Sequence, residues 1–146
     1  MVKNNSIAVI AAAVVLLAFV APYFSPQGFA VARNQQDFTA TGVVLPEPIV
    51  SGLGFNVQAI FANLGDVSGS HVVYRYEILN AYNKLYSNEG STDLLAGQTK
   101  TLTLYVDDEL AAGTYTLKLI VDSDNAYIES DETNNIYNFG FKVPYP

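Results

Sequence analysis

From Phe38 to Val143 the apolar side chains recur at every second position, in short runs broken by Gly, Pro, Asn and Asp. A period of two sends alternate side chains to opposite faces of a strand, and no helical period competes with it after residue 32. The first run, Phe38 to Leu45, is stopped by Pro46 and Pro48, which a central strand cannot contain. The second, Phe55 to Ala62, sets Phe55, Val57, Ala59 and Phe61 against Asn56, Gln58 and Ile60, and ends at Asn63-Leu64-Gly65-Asp66. In the third, His71 to Leu79, Val72, Tyr74, Tyr76 and Ile78 share one face and Arg75 and Glu77 the other. The polar segment Asn80 to Asn88 predicts only a short edge strand around Lys84 to Tyr86.

After the Ala96-Gly97 turn, Thr99 to Val106 points Leu102, Leu104 and Val106 one way. The strand opening at Gly113 buries Tyr115, Leu117, Leu119 and Val121, and Ile136 to Val143 aligns Tyr137, Phe139, Phe141 and Val143. Seven short strands over about 110 residues predict an all-β, Ig-like antiparallel β-sandwich. Before it, Arg33 to Asp37 reads as a mobile polar lead-in. Ile60, Tyr105 and Ile120 fall on outward faces, where scattered apolar residues are ordinary.

The composition bounds what this sandwich can do. A chain of 146 residues with no cysteine has neither disulfides, nor thiolate metal ligands, nor a cysteine nucleophile. Its formal charge of -7, with seven scattered Lys and Arg, excludes the basic patch that nucleic-acid binding requires. Catalysis finds no support: His71 has no second His or Cys for zinc, and no serine sits in a Gly-x-Ser-x-Gly elbow. Asp107-Asp108-Glu109 reads as a solvated turn, not as two carboxylates facing across a cleft.

The N-terminus predicts export. Lys3 precedes fourteen uncharged apolar residues, Ile7 to Val20, and small residues at Ala30 and Ala32 offer a cleavage site before Arg33. Residues 1-32 are therefore expected to be a signal peptide. The alternative is a retained membrane anchor over Ile7 to Phe24, tolerated by tilt or local thinning. Residues 33-47 form the lead-in and first strand, and 48-146 the remaining sandwich.

Near the C-terminus, Val121 to Asn135 holds five carboxylates, Asp122, Asp124, Glu129, Asp131 and Glu132, with three asparagines. Calcium takes six to eight oxygen ligands, and Asp122, Asp124, Asn125, Glu129, Asp131 and Glu132 are the candidates to supply them. An EF-hand is excluded, because its sixth position would be Tyr127 and its twelfth Thr133. The other reading is a β-hairpin connection. In it Asp and Asn side chains satisfy turn amides, Tyr127 and Ile128 pack back, and Asn134 and Asn135 hold the start of the last strand.

Several of these segments resemble the CARDB family, the cell-adhesion-related domain of bacterial and archaeal surface proteins. They are Val57 to Gly65 ending in Asn-x-Gly, Leu95-Ala96-Gly97-Gln98 before a strand, Gly113-Thr114-Tyr115, and Glu129-Ser-Asp-Glu-Thr-Asn-Asn135. The resemblance covers roughly Pro48 to Val143 and implies an Ig-like sandwich with a binding or structural role outside the cell, and no chemistry. A second resemblance, of Phe38-Thr-Ala-Thr-Gly42 and Glu47-Pro-Ile49, is to the start of archaeal cannula subunits.

The expected function is thus an exported, non-catalytic adhesion or structural module acting through protein partners at the cell surface. One alternative is a filament or tube subunit. Its first strand, with Phe38, Ala40, Val44 and Leu45, would then add to a neighbouring copy's sheet, a homopolymer that calcium could link. Another is a membrane-anchored accessory subunit, if the apolar N-terminus is retained.

Overall fold

The computed structural model describes residues 35–145; the expected signal peptide, cleavage site and anchor lie outside them. Seven strands follow in order: β1 (Phe38–Val44), β2 (Phe55–Asn63), β3 (Gly69–Leu79), β4 (Lys84–Leu94), β5 (Thr99–Val106), β6 (Gly113–Val121) and β7 (Ile136–Val143). All ladders are antiparallel and form two sheets, ordered β1-β2-β5 and β4-β3-β6-β7. This is the three-plus-four layout of an Ig-like sandwich.

The core comes from the inward positions that the period of two selects. Phe38, Val57, Phe61, Val72, Ile78, Leu94, Val106, Leu117 and Leu119 are fully buried between the sheets. Deleting a side chain of this kind typically costs about 2–5 kcal/mol, so these residues carry much of the stability. Aromatic pairs stitch the layers together: Phe61 lies 5.3 Å from Tyr74, and Phe55 meets Phe141 edge-on at 6.1 Å between ring centroids.

The strands differ from the sequence expectation at β4, at the start of β3, and at Glu77 and Ile120. β4 is an eleven-residue strand, not a short edge piece, and pairs with β3 from Lys84 to Leu94. Its inner face is apolar at Tyr86 and Leu94 but interrupted between them: the Tyr74 ring lies over Gly90, and Tyr76 sits opposite Asn88. β3 begins at Gly69 rather than His71, and His71 adopts a left-handed φ of 59° at a register break. Finally, Glu77 and Ile120, expected to be solvated on the outer face, are buried. Arg75 and Lys84 cover Glu77, and Ile120 lies in register between Arg75 and Ile136.

The polar lead-in is also not free. Gln35 exchanges two hydrogen bonds with Asp66, its N–H donating to Oδ1 at 3.0 Å and its C=O accepting from the Asp66 N–H at 3.2 Å. Gly65 makes this crossing feasible, since a Cβ there would come 2.1 Å from the Gln35 carbonyl oxygen. Overpacking typically costs about 1–3 kcal/mol, and this clash is with backbone. Gly65→Ala is therefore expected to lower the unfolding free energy by that order, read from the fall in the urea midpoint; an unchanged midpoint would show that the crossing is not tight.

Candidate functional site

β1 and β7 start at the same pole of the sandwich, and three sequence segments meet there. These are the lead-in Gln35 to Thr39, the turn Asn63 to Ser68 after β2, and the acidic stretch Asp122 to Asn135 between β6 and β7.

Asn63 is fully buried, and its carboxamide is fully used. Oδ1 accepts from the N–H groups of Asp37 at 3.2 Å and Gly65 at 3.0 Å, while Nδ2 donates to the carbonyls of Val67 at 2.8 Å and Leu94 at 3.1 Å. One side chain thus joins the lead-in, its own turn and the end of β4. A buried polar group satisfied in this way rigidifies its surroundings, and becomes costly once a partner is lost.

Glu129 closes the other side of the lead-in. It is buried, and its two oxygens accept from the Phe38 N–H and from Asn135 Nδ2, the latter at 2.8 Å. Its backbone N–H donates to Glu132 Oε1 at 2.8 Å, and Ser130 N–H donates to the Gln36 carbonyl at 2.9 Å. Asp37 accepts from Asn134 Nδ2 at 2.7 Å and Ser130 Oγ at 3.0 Å, and Thr39 Oγ1 donates to the Asn134 carbonyl at 2.9 Å. Asn134 and Asn135 therefore act through the side chains of Asp37 and Glu129 as well as through backbone.

The remaining acidic residues satisfy the loop itself. Asp122, in the left-handed region with φ 46°, accepts from the N–H groups of Ala126 at 3.1 Å and Tyr127 at 3.2 Å. Asp131 accepts from the Thr133 N–H and hydroxyl. Tyr127 packs edge-on against Phe38, 5.2 Å between centroids, and its hydroxyl both donates to the Ser70 carbonyl and accepts from the Ser70 N–H. Ile128, expected to pack back, is instead exposed.

Of the six expected calcium ligands, Asp122, Glu129, Asp131 and Glu132 are spread over separate hydrogen-bonding tasks, and Asp124 and Asn125 are exposed on the loop. Among the described residues, no group of three or more His, Cys, Asp or Glu side chains converges on a point that could hold a metal ion. Asp122 and Glu129 turn both oxygens toward N–H donors, where a cation would be repelled, so the arrangement does not fit a calcium cage. Of the expected interaction residues, Phe38 and Ala40 are buried in their own chain's core, and β1 pairs with β2 of the same chain. Val44 is exposed and Leu45 half-buried, beside an open cleft of about 780 Å³ between the ends of β1 and β7. Asn63 and Asp37 are site residues to which the sequence assigned no role of this kind, the Asn-x-Gly spacing being the one visible signal for Asn63, whereas Tyr127 packs back as expected.

The electrostatics of this pole are one-sided. Neither of the two ion pairs among the described residues involves its carboxylates. Burial pushes the Glu129 carboxyl up to about 7, outweighing the bonds from Phe38 and Asn135 that act the other way; Asp122 and Glu132 add to the rise. Burial likewise raises Asp122, against its amide bonds to Tyr127 and Ala126, while the Thr133 bonds lower Asp131.

A seven-stranded Ig-like sandwich whose motifs fasten the incoming chain at one pole is the class these features define. The chain belongs to the CARDB family, whose family model matches residues 35–139. CARDB is a cell-adhesion-related domain. A crystal structure of a CARDB domain from Pyrococcus furiosus, in complex with di-metal ions, superposes with a TM-score of 0.63 at 21% identity, covering 77% of this chain and 97% of that one. A solution structure of that domain gives 0.62 at 21% identity, covering 76% and 97%. A β-glucosidase from Erythrobacter marinus aligns at 10% identity with a TM-score of 0.51, covering 73% of this chain but 15% of the enzyme. Identities this low establish a common fold and nothing more. A comparison with curated proteins finds no match. The resemblance to cannula subunits finds no support in these comparisons.

Linkage gives the pH response of this pole. The folded-state value of Glu129, about 7, lies above its ordinary 4.5, so the folded chain holds the proton more tightly. Its contribution is complete below pH 4.5 and is lost as pH rises through 7. The chain is expected to become more stable from pH 7.5 down to about 5, and Glu129→Gln, which cannot titrate, to show a flatter profile in denaturant melts. Equal slopes for both proteins would contradict the assignment.

Proposed function

We propose that this protein is an exported, non-catalytic module that works by contact with protein partners at the cell surface. The observation that carries this reading is the CARDB match, taken with the inward commitment of the signature residues. Asn63, Gly65, Glu129, Asn134 and Asn135 are spent on fastening the fold, which leaves the outer sheet faces and the outer edges of the two sheets as the surface for partners. The uncharged run Ile7 to Val20 supports export, whether the segment is removed or retained as an anchor.

Pairing of β1 with β2 inside one chain supports a self-contained module over a strand-donating filament subunit. The acidic stretch is read in the same way, as part of the fold rather than as a calcium site.

The absence of cysteine provides a direct test of location. Tyr82, 90% exposed at the β3–β4 turn, can be replaced by the chain's single thiol. In cells that make the protein, Tyr82→Cys is expected to react with a membrane-impermeant maleimide while the cells are intact. Labelling only after lysis would overturn the reading.

A further inference from the structure

We propose that the pole built by Asn63, Gly65 and the Glu129–Asn135 segment is a mechanical clamp, which lets the domain carry tension applied between its two ends. This concerns the domain's mechanics and does not depend on the location or partners proposed above.

β1 and β7 run in the same direction along the sandwich. β1 begins at the pole where β7 begins, since Asp37 and Thr39 bond Asn134. It ends at the pole where β7 ends, since Val43 to Ile49 and Phe139 to Pro144 line one cleft. The described chain therefore enters at one pole and leaves at the other. Opposed pulls on the two ends run along the strand axes, whereas the β1–β2 ladder bonds lie perpendicular to them. A ladder pulled in this direction cannot open one bond at a time from its end; β1 has to slide past β2 as a unit.

The lead-in raises the resistance to that slide, because it is gripped from both sides just before β1. On one side Gln35 bonds Asp66, and Asp37 bonds Asn63 and Leu64. On the other, Gln36 bonds Ser130 and forms a parallel bridge with Glu129, which also holds the Phe38 N–H. Immediately behind the grip, Phe38 is fully buried under Tyr127. Pulling β1 outward must drag this ring from the core while the bonds on both flanks break together. A hairpin peeled from the other pole meets none of these contacts at its outset.

The test compares two directions of pull on the full chain, using cysteine handles that are unique because the chain has none. Handles at Asn34→Cys and Tyr145→Cys load the clamp. Handles at Tyr82→Cys and Tyr145→Cys, both at the far pole, do not. In the first geometry, Glu129→Ala and the milder rim variant Asp37→Ala are expected to unfold at clearly lower force. For Glu129→Ala, unfolding at fixed force should be at least about ten-fold faster, the cost expected of unpaired buried donors. In the second geometry both variants should match the unsubstituted chain more closely. Leu117→Ala, a core truncation away from the clamp, should weaken both geometries alike. If the clamp variants follow Leu117→Ala, losing force equally in the two directions, they act only through global stability and the proposal fails. Should Glu129→Ala not fold, Asp37→Ala decides by the same comparison.

Discussion

One buried carboxamide, Asn63, sets the path of the chain into this sandwich. It has four hydrogen-bonding tasks at the point where a loop, a turn and a strand end meet, and all four are met inside the protein. Removing any of them leaves a polar group in an apolar surround, at a cost of about 1–3 kcal/mol. With Asn63 in place, the Asp37 N–H has one acceptor, Gly65 must lack a side chain, and the lead-in can cross only where Glu129 then meets Phe38. The signature spacings Asn-x-Gly and Glu-Ser-Asp-Glu-x-Asn-Asn, sixty and more residues apart, are thus two halves of one fastening.

This accounts for a carboxylate-rich stretch that makes no ion pair among the described residues. Asp122 shapes the turn leaving β6, Glu129 holds β1, and Asn134 and Asn135 tie β7 to the same place. Burial, with smaller contributions from Asp122 and Glu132, leaves Glu129 resisting ionisation near neutrality. The same chemistry that fastens the chain therefore makes the pole sensitive to mild changes of pH.

Much of the fold could be read in the sequence because a period of two is a direct record of which residues face the core. β2, β5, β6 and β7 follow that record closely. β4 hid from it because Gly90, under the Tyr74 ring, and the exposed Asn88 interrupt the apolar alternation between Tyr86 and Leu94. Glu77 and Ile120 hid for the opposite reason: the long side chain of Arg75 covers outer-face positions that alternation alone assigns to water. The site was half legible. The residue types of the acidic stretch suggested either ligands or a turn, and composition cannot say whether an oxygen faces a cation or an amide. Spacing gave no hint that the partner of Glu129 would be the N–H of Phe38, 91 residues away.

Hydrogen exchange at the Phe38 amide decides whether this fastening holds in solution. That N–H lies at the very start of β1, a position that in an unfastened strand frays easily and exchanges through local opening. If Glu129 and Asn63 fasten the lead-in, Phe38 exchanges as slowly as Leu117 in the centre of β6, through global unfolding alone. Exchange at Phe38 that is orders of magnitude faster than at Leu117, in the unsubstituted chain, would mean that the pole is open in solution and that the fastening does not hold the fold together.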